Sequence, residues 1–286
     1  MNSLKIGAYI LRPYSRTENH IKDIKEAMID FIVSMNYDIK TLDLFEKYSI
    51  GAILSDVLPH WWGGDGEKSG EMEKSCPLGK YKTALDEYVH HSAVWGIDMG
   101  DEISSKDFPY LEKIVNLFET KNITPFPYTN LYANYGVYAT SDESERQRQW
   151  GCKTYREYIE RYCQTVPLDY VCFDHYPYSC ENTDLYLENL SIVSDACKKY
   201  GKEMWVVGQV SSSDKKKVIS LEQMRFQILN AIKYGAKTFM WACYTGGWWH
   251  NHPISQTGEK TSLYEDLKRV NAEAKEFFEK TGKTVL

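Results

Sequence analysis

Eight short apolar runs, each followed by a stretch that cycles with helical period, constrain this chain more tightly than any single motif in it. The runs are Lys5–Ile10, Asp30–Met35, Gly51–Ser55, Val94–Met99, Ile123–Tyr128, Tyr170–Asp174, Met204–Gly208 and Thr238–Cys243. Runs of this length, apolar throughout rather than alternating, suit strands buried on both faces of a parallel sheet. Between them, apolar residues recur three and four apart: Phe108, Leu111, Val115 and Phe118; Leu187, Leu190, Val193 and Cys197; Leu221, Met224, Ile228 and Ala231; Leu263, Leu267, Val270, Ala274 and Phe277. That spacing places one apolar stripe on each helix, facing the sheet.

The punctuation agrees with the periodicity. Ser220-x-x-Gln223 and Ser262-x-x-Glu265 have the form of capping boxes that open helices. Lys199-Tyr200-Gly201, Lys233-Tyr234-Gly235 and Lys47-Tyr48-Ser49 each precede a strand. There a lysine suits the negative end of the helix dipole, and the glycine can take a left-handed cap. Eight strand–helix pairs in 286 residues, with no break in composition, predict an α/β fold: one (β/α)8 barrel over residues 1–286. An open doubly wound sheet is the competing arrangement. Its glycine-rich phosphate turn is missing after the first strand, where the chain reads Ile10-Leu11-Arg12-Pro13-Tyr14.

Composition removes several partners. A formal charge of −6 leaves no electrostatic footprint for nucleic acid. No apolar run reaches the length of a membrane span, and the N-terminus lacks the pattern of a secretory signal. The seven cysteines form no C-x-x-C pair, and three of them lie in apolar runs, so a reducing cytoplasm is expected. The histidines contain no helical i, i+4 pair with a glutamate between. Neither a metal nor another cofactor is therefore expected, with His250-x-His252 as the residual metal candidate. Nothing here fixes an oligomeric state.

In such a barrel, the residues that close each strand at the C-terminal face share one site. They are Asp56; Asp101 and Glu102; Asn130; Asp174, His175 and Tyr176; Gln209 and Ser211; and Trp241 and Tyr244. Carboxylates, amides and aromatic rings gather at corresponding ends, which packing alone does not require. Two long loops also follow strands, Asp56–Lys80 and Asn130–Thr154. Trp61, Trp62, Trp248 and Trp249 occur as doublets in glycine-rich loops, where they can stack on sugar rings or anchor the loops. Neighbours on a strand face opposite ways, so Asp101 and Glu102 can both reach the site only if the pleat breaks, and Gly100 permits that. Asp98 lies within the barrel and needs a partner.

Trp95-Gly96-Ile97-Asp98-Met99-Gly100-Asp101-Glu102, Thr129-Asn130-Leu131, Phe173-Asp174-His175-Tyr176-Pro177 and Trp205-Val206-Val207-Gly208-Gln209 together resemble barrel glycoside hydrolases related to the family-42 β-galactosidases and clan A. The resemblance implies an enzyme that cleaves a glycosidic bond in a small or medium oligosaccharide. Glu102 falls at the acid/base position, with a pKa raised by burial and by its carboxylate neighbour. Asp101 stands where that family has an amide. Gln209 stands where it has the nucleophilic glutamate, and an amide cannot form the glycosyl ester. Trp241 falls at the platform beneath the reacting sugar, and Gln209 and Tyr176 at hydrogen-bonding positions.

Gly100-Asp101-Glu102 is also similar to the Gly-Asp-Glu of family-20 hexosaminidases. That likeness implies substrate assistance on an N-acetylhexosaminide, with Asp101 orienting the acetamido group. The alternatives are inversion, with Asp174 or Asp98 activating water across roughly 6.5–9.5 Å, and a barrel that binds sugar without cleaving it.

Overall fold

A computed structural model describes residues 3–64, 66–135 and 142–281. Asp65 of the tryptophan-bearing loop and residues 136–141 of the long loop after Asn130 lie outside the described residues. The strands are β1 (Lys5–Tyr9), β2 (Phe31–Met35), β3 (Gly51–Leu54), β4 (Trp61–Trp62), β5 (Val94–Asp101), β6 (Phe126–Asn130), β7 (Tyr170–Asp174), β8 (Glu203–Gln209) and β9 (Ala236–Ala242). All pairings between strands are parallel. The path runs β5-β3-β2-β1-β9-β8-β7, with β6 on the far side of β5. A parallel bridge from Leu131 to Phe173 joins β6 to β7 and closes the ring.

The helices are α1 (Glu18–Glu26), α2 (Ile39–Tyr48), α3 (Met72–Ser75), α4 (Leu78–Glu87), α5 (Phe108–Thr120), α6 (Glu143–Gln149), α7 (Tyr155–Thr165), α8 (Thr183–Tyr200), α9 (Leu221–Lys233) and α10 (Ser262–Thr281). This is an α/β fold of the (β/α)8-barrel class. Ser220 and Gln223 form the reciprocal capping box that opens α9, and α10 starts at Ser262. Ser49 and Gly201 take the left-handed conformation that ends α2 and α8.

Two elements differ from the sequence reading. The fifth barrel strand runs Phe126–Asn130 rather than Ile123–Tyr128, because the Ile123 N–H returns to the Phe118 carbonyl and closes α5. The two-residue β4 is an addition, pairing Trp61 with Gly100 and Trp62 with Asp101.

Aromatic rings fill the N-terminal end of the barrel. Tyr170 stacks on Trp205 at 4.1 Å between centroids, Phe126 meets Trp205 edge-on at 5.6 Å, and Phe31 lies 6.1 Å from Trp95. Trp95 lies over Gly51, where a Cβ would come within 2.1 Å of the indole. Higher in the barrel, the Tyr9 and Tyr128 hydroxyls share a hydrogen bond across the interior, and Tyr128 Oη also reaches Cys172 Sγ at 3.5 Å. This tyrosine layer is the floor of the C-terminal mouth.

Candidate active site

The end of β5 departs from regular strand geometry, and that departure builds the site. Along β6, Tyr128 and Asn130 face the same way, two residues apart. Their partners on β5 are Asp98 and Asp101, three apart, because the register shifts between Asp98 and Gly100. Met99 is the extra residue of this bulge, so Asp98 and Asp101 both face the interior where an unbroken pleat would separate them. Gly100 has φ 153°, and a Cβ there would lie 2.4 Å from the Trp61 carbonyl oxygen. A side chain at this position is incompatible with β4 pairing alongside. Glu102 follows in the left-handed region, φ 52°, its N–H bound to the Asn130 carbonyl at 3.0 Å. The break expected at Gly100 is present, and it turns Glu102 onto the rim.

Asp174, at the end of β7, is 7% exposed and supplies a third interior carboxylate. Asn130 Nδ2 donates to Asp101 Oδ1 at 3.0 Å, and the Tyr135 hydroxyl approaches Asp174 Oδ2 at 3.4 Å. Burial raises the proton affinity of Asp101 well above the carboxylate range, and repulsion from Asp174 adds to it. Burial raises Asp174 too, against the hydrogen bonds of Tyr176, Asn130 and Tyr135, which hold part of the rise back. The two carboxyls therefore compete for protons near neutrality. Asp98 accepts the Gly100 N–H at 3.0 Å and lies 3.6 Å from His60 Nε2. The Asp98 carboxylate beside it raises the His60 pKa, opposed by burial.

The Tyr135 phenol, beside Asp174, lies within electrostatic reach of Glu102 as well. Glu102 Oε2 accepts the Trp62 indole N–H at 2.8 Å. Trp62 is 48% exposed and Trp248 50%, whereas Trp61 is buried. Trp248 stands edge-on to Tyr9 at 6.0 Å, and Trp249 edge-on to Tyr176 at 4.4 Å. The loop that carries Trp61 and Trp62 is pinned to the barrel by Asp107, whose carboxylate accepts the N–H groups of Gly70 and Met72.

The mouth thus gathers Asp101, Glu102, Asn130, Asp174, Tyr176, Trp62, Trp248 and Trp249 from the sequence-based set. The others lie elsewhere: Asp56 accepts the Tyr37 N–H, Ser211 is buried with its hydroxyl on the Ala242 carbonyl, Trp61 is buried, and four more turn away from the mouth. Trp241 is fully buried outside the barrel, its indole N–H on Asn271 of α10 at 2.8 Å. Met240 faces the interior, with Tyr128 Oη 3.8 Å from its sulfur, so the next residue must face the helices. Trp241 therefore cannot lie beneath a sugar. Tyr244 is buried, its phenol influenced by Tyr264 of α10 and Asp23 of α1. His175 packs between β7 and α8, 2.7 Å from Asn189 Nδ2 and 3.6 Å from Cys180 Sγ, and burial pushes its pKa down to about 3. It is a neutral core histidine.

Gln209 is fully buried. Its Oε1 accepts the N–H groups of Tyr178 and Ser179 at 2.9 and 3.2 Å, while Nε2 donates to Ser179 Oγ and the Ser211 carbonyl. Its amide is committed to holding the loop after β7. Conversely, His60, Tyr9, Tyr128 and Tyr135 belong to the site and were not singled out from sequence. His60 precedes the tryptophan doublet and Tyr9 closes β1; those positions were the available signal. Among the described residues, no group of three or more His, Cys, Asp or Glu is arranged to hold a metal ion.

The chain matches no protein-family model and no curated protein. Solved structures with a similar course include the endo-1,4-β-mannanase from Rhizomucor miehei, with TM-score 0.66 and 8% identity, covering 96% of this chain and 95% of that one. A GH2 β-galacturonidase from Eisenbergiella tayi bound to galacturonate has TM-score 0.65 and 10% identity, covering 94% of this chain and 51% of that one. The catalytic domain of a hyperthermophilic chitinase from Pyrococcus furiosus has TM-score 0.54 and 13% identity, covering 97% and 98%. Identities this low establish a shared fold: this chain is a barrel of the architecture on which those glycoside hydrolases are built.

Proposed function

We propose that this chain is a glycoside hydrolase of the clan A-like barrel group, acting on an oligosaccharide or glycoside, with Glu102 as the general acid. The observation that carries this reading is the convergence of Asp98, Asp101, Asp174 and Glu102 on one aromatic-rimmed mouth at the C-terminal end of the barrel. Glu102 protonates the glycosidic oxygen as the bond to the anomeric carbon breaks, so the leaving sugar departs as an alcohol. Trp62, Trp248 and Trp249 offer indole faces and edges to pyranose C–H groups.

Gln209 gives no nucleophile, and its amide is already spent on a loop. The attack on the anomeric carbon is therefore assigned to the substrate's own acetamido oxygen, with Asp101 orienting the amide and taking up its developing charge. Water then opens the oxazoline, returning a proton to Glu102. A second reading is favoured by Asp174: as a buried carboxyl with raised proton affinity, it can take the proton of an attacking water and give inversion instead. Both use Glu102 as the acid that protonates the leaving oxygen.

The test is a screen of aryl glycosides, including N-acetylated ones, against the wild type, Glu102→Gln and Asp101→Asn, with the product anomer followed by NMR. Turnover by the wild type, lost in Glu102→Gln, is expected. Retention confined to N-acetylated substrates supports assistance, and inversion supports Asp174. Sugar binding by the wild type and Glu102→Gln alike, with turnover by neither, makes the barrel a binding protein.

A further inference from the structure

The site holds negative charge without matching cations. Asp98, Asp101 and Asp174 face one interior, and among the described residues His60, 3.6 Å from Asp98, is the only ion-pair partner any of the three has. Several lysines and arginines pair on the outer surface, as Lys275 with Asp30 and Arg225 with Glu273, and Arg12, in the loop after β1, donates to the Gly246 carbonyl rather than to any of the three carboxylates. Beyond the excess of acid, one of these carboxylates has an unsatisfied oxygen. Asp174 Oδ1 is buried and has no hydrogen-bond partner, although the residue is only 7% exposed. A buried carboxylate oxygen left unpaired is costly, and such atoms call for a donor from outside the chain. Asn130, Tyr135 and Tyr176 already surround the pair, and their bonds leave Oδ1 without a partner.

Resting on the reading of this mouth as a sugar site, we propose that it selects sugars by charge: it takes uncharged rings, prefers a ring bearing a protonated amine, and rejects uronates and other anionic sugars. A ligand N–H or O–H donor directed at Asp174 Oδ1 supplies the absent bond. A positive charge on that ligand is further favoured by Asp98 and Asp101. An anionic ring would instead add repulsion from the three carboxylates. This sets the chain apart from the galacturonate-binding neighbour of similar fold.

The experiment measures binding at pH 7 by calorimetry. The probes are hydroxylated piperidines of gluco, galacto, manno and 2-acetamido-gluco configuration, each beside its uncharged lactam and the uronic acid of the same series. The tightest piperidine is expected to bind at least about tenfold better than its lactam, and the uronic acids to show no saturable binding. Asp174→Asn is expected to shrink the piperidine-to-lactam ratio by at least about threefold. Should that variant fail to fold, the wild-type ratio alone decides.

A lactam or uronic acid that equals or exceeds its piperidine overturns the proposal, as does a panel in which nothing binds. The two readings fail separately. Turnover of an aryl glucuronide, with neutral aryl glycosides inert, removes charge selection and leaves a hydrolase. Ammonium preference without turnover of any glycoside removes the hydrolase and leaves charge selection.

Discussion

The two ends of this barrel are built from the same strands and reach opposite electrostatic outcomes. At the N-terminal end, Phe31, Trp95, Phe126, Tyr170 and Trp205 close the bore with rings packed at 4.1 to 6.3 Å, and polar groups are few. At the C-terminal end, buried Asp98 and Asp174 and half-buried Asp101 face the interior, with one histidine paired to Asp98. The first arrangement contributes stability through apolar burial. The second costs stability, since buried carboxyls must be desolvated or protonated. A molecule that keeps both has separated the part that holds it together from the part that carries the proposed site.

The division of labour can be broken from either end. The largest effect is expected from Glu102→Gln, with kcat on an active aryl glycoside falling about 10²–10⁴-fold while the melting temperature holds. A variant that keeps its activity breaks the assignment of chemistry to the mouth. Trp205→Ala, at the opposite end, is expected to cost about 3 kcal/mol in denaturant unfolding with KM unchanged. Activity lost without lost stability would mean that the aromatic end is not merely structural.

Gln209→Ala follows at about 2 kcal/mol, because the Tyr178 and Ser179 N–H groups lose their acceptor. If the stability survives, Gln209 is free to serve substrate after all.

Asp174→Asn sharpens the comparison through pH. Because burial raises the proton affinity of Asp101 and Asp174, the folded chain binds more protons than the unfolded one between the ordinary carboxylate range and neutrality. Stability from this pair is therefore complete at acid pH and declines as pH rises through that window. The asparagine cannot ionise, so the variant should gain of order 1–2 kcal/mol over the wild type at pH 8 and little at pH 4. Equal gains at both pH values would show that the pair is not strained by charge. The smallest effect is expected from Trp62→Phe, which removes the N–H on Glu102 and keeps a ring: KM should rise about twofold to fivefold. An unchanged KM would place Trp62 outside the substrate's path.

Much of this was legible in the chain. Seven of the eight apolar runs fall on barrel strands within a residue or two, because a buried parallel strand writes its whole length in apolar residues. The same property hid which residues face inward. In Met240-Trp241 both positions are fully buried, one in the bore and one under α10, and hydrophobicity cannot distinguish them. His175 and Gln209 show the other limit. Each is polar and closes a strand, which marks a barrel site, yet each spends its hydrogen bonds on neighbouring loops or helices. His60 and Tyr135 enter the mouth from loops whose paths have no periodicity to read.

By itself the sequence determined the barrel, the ends at which polar residues gather, and the glycine that lets β5 break beside Glu102, because these depend on period, cap chemistry and local backbone freedom. Tertiary structure alone decided that Asp98 and Asp101 share a face, that Asp174 joins them without a cation, and that Trp241 and Gln209 turn away. Those outcomes rest on a one-residue register shift against β6 and on which neighbour claims each polar atom, and both arise only when distant segments meet.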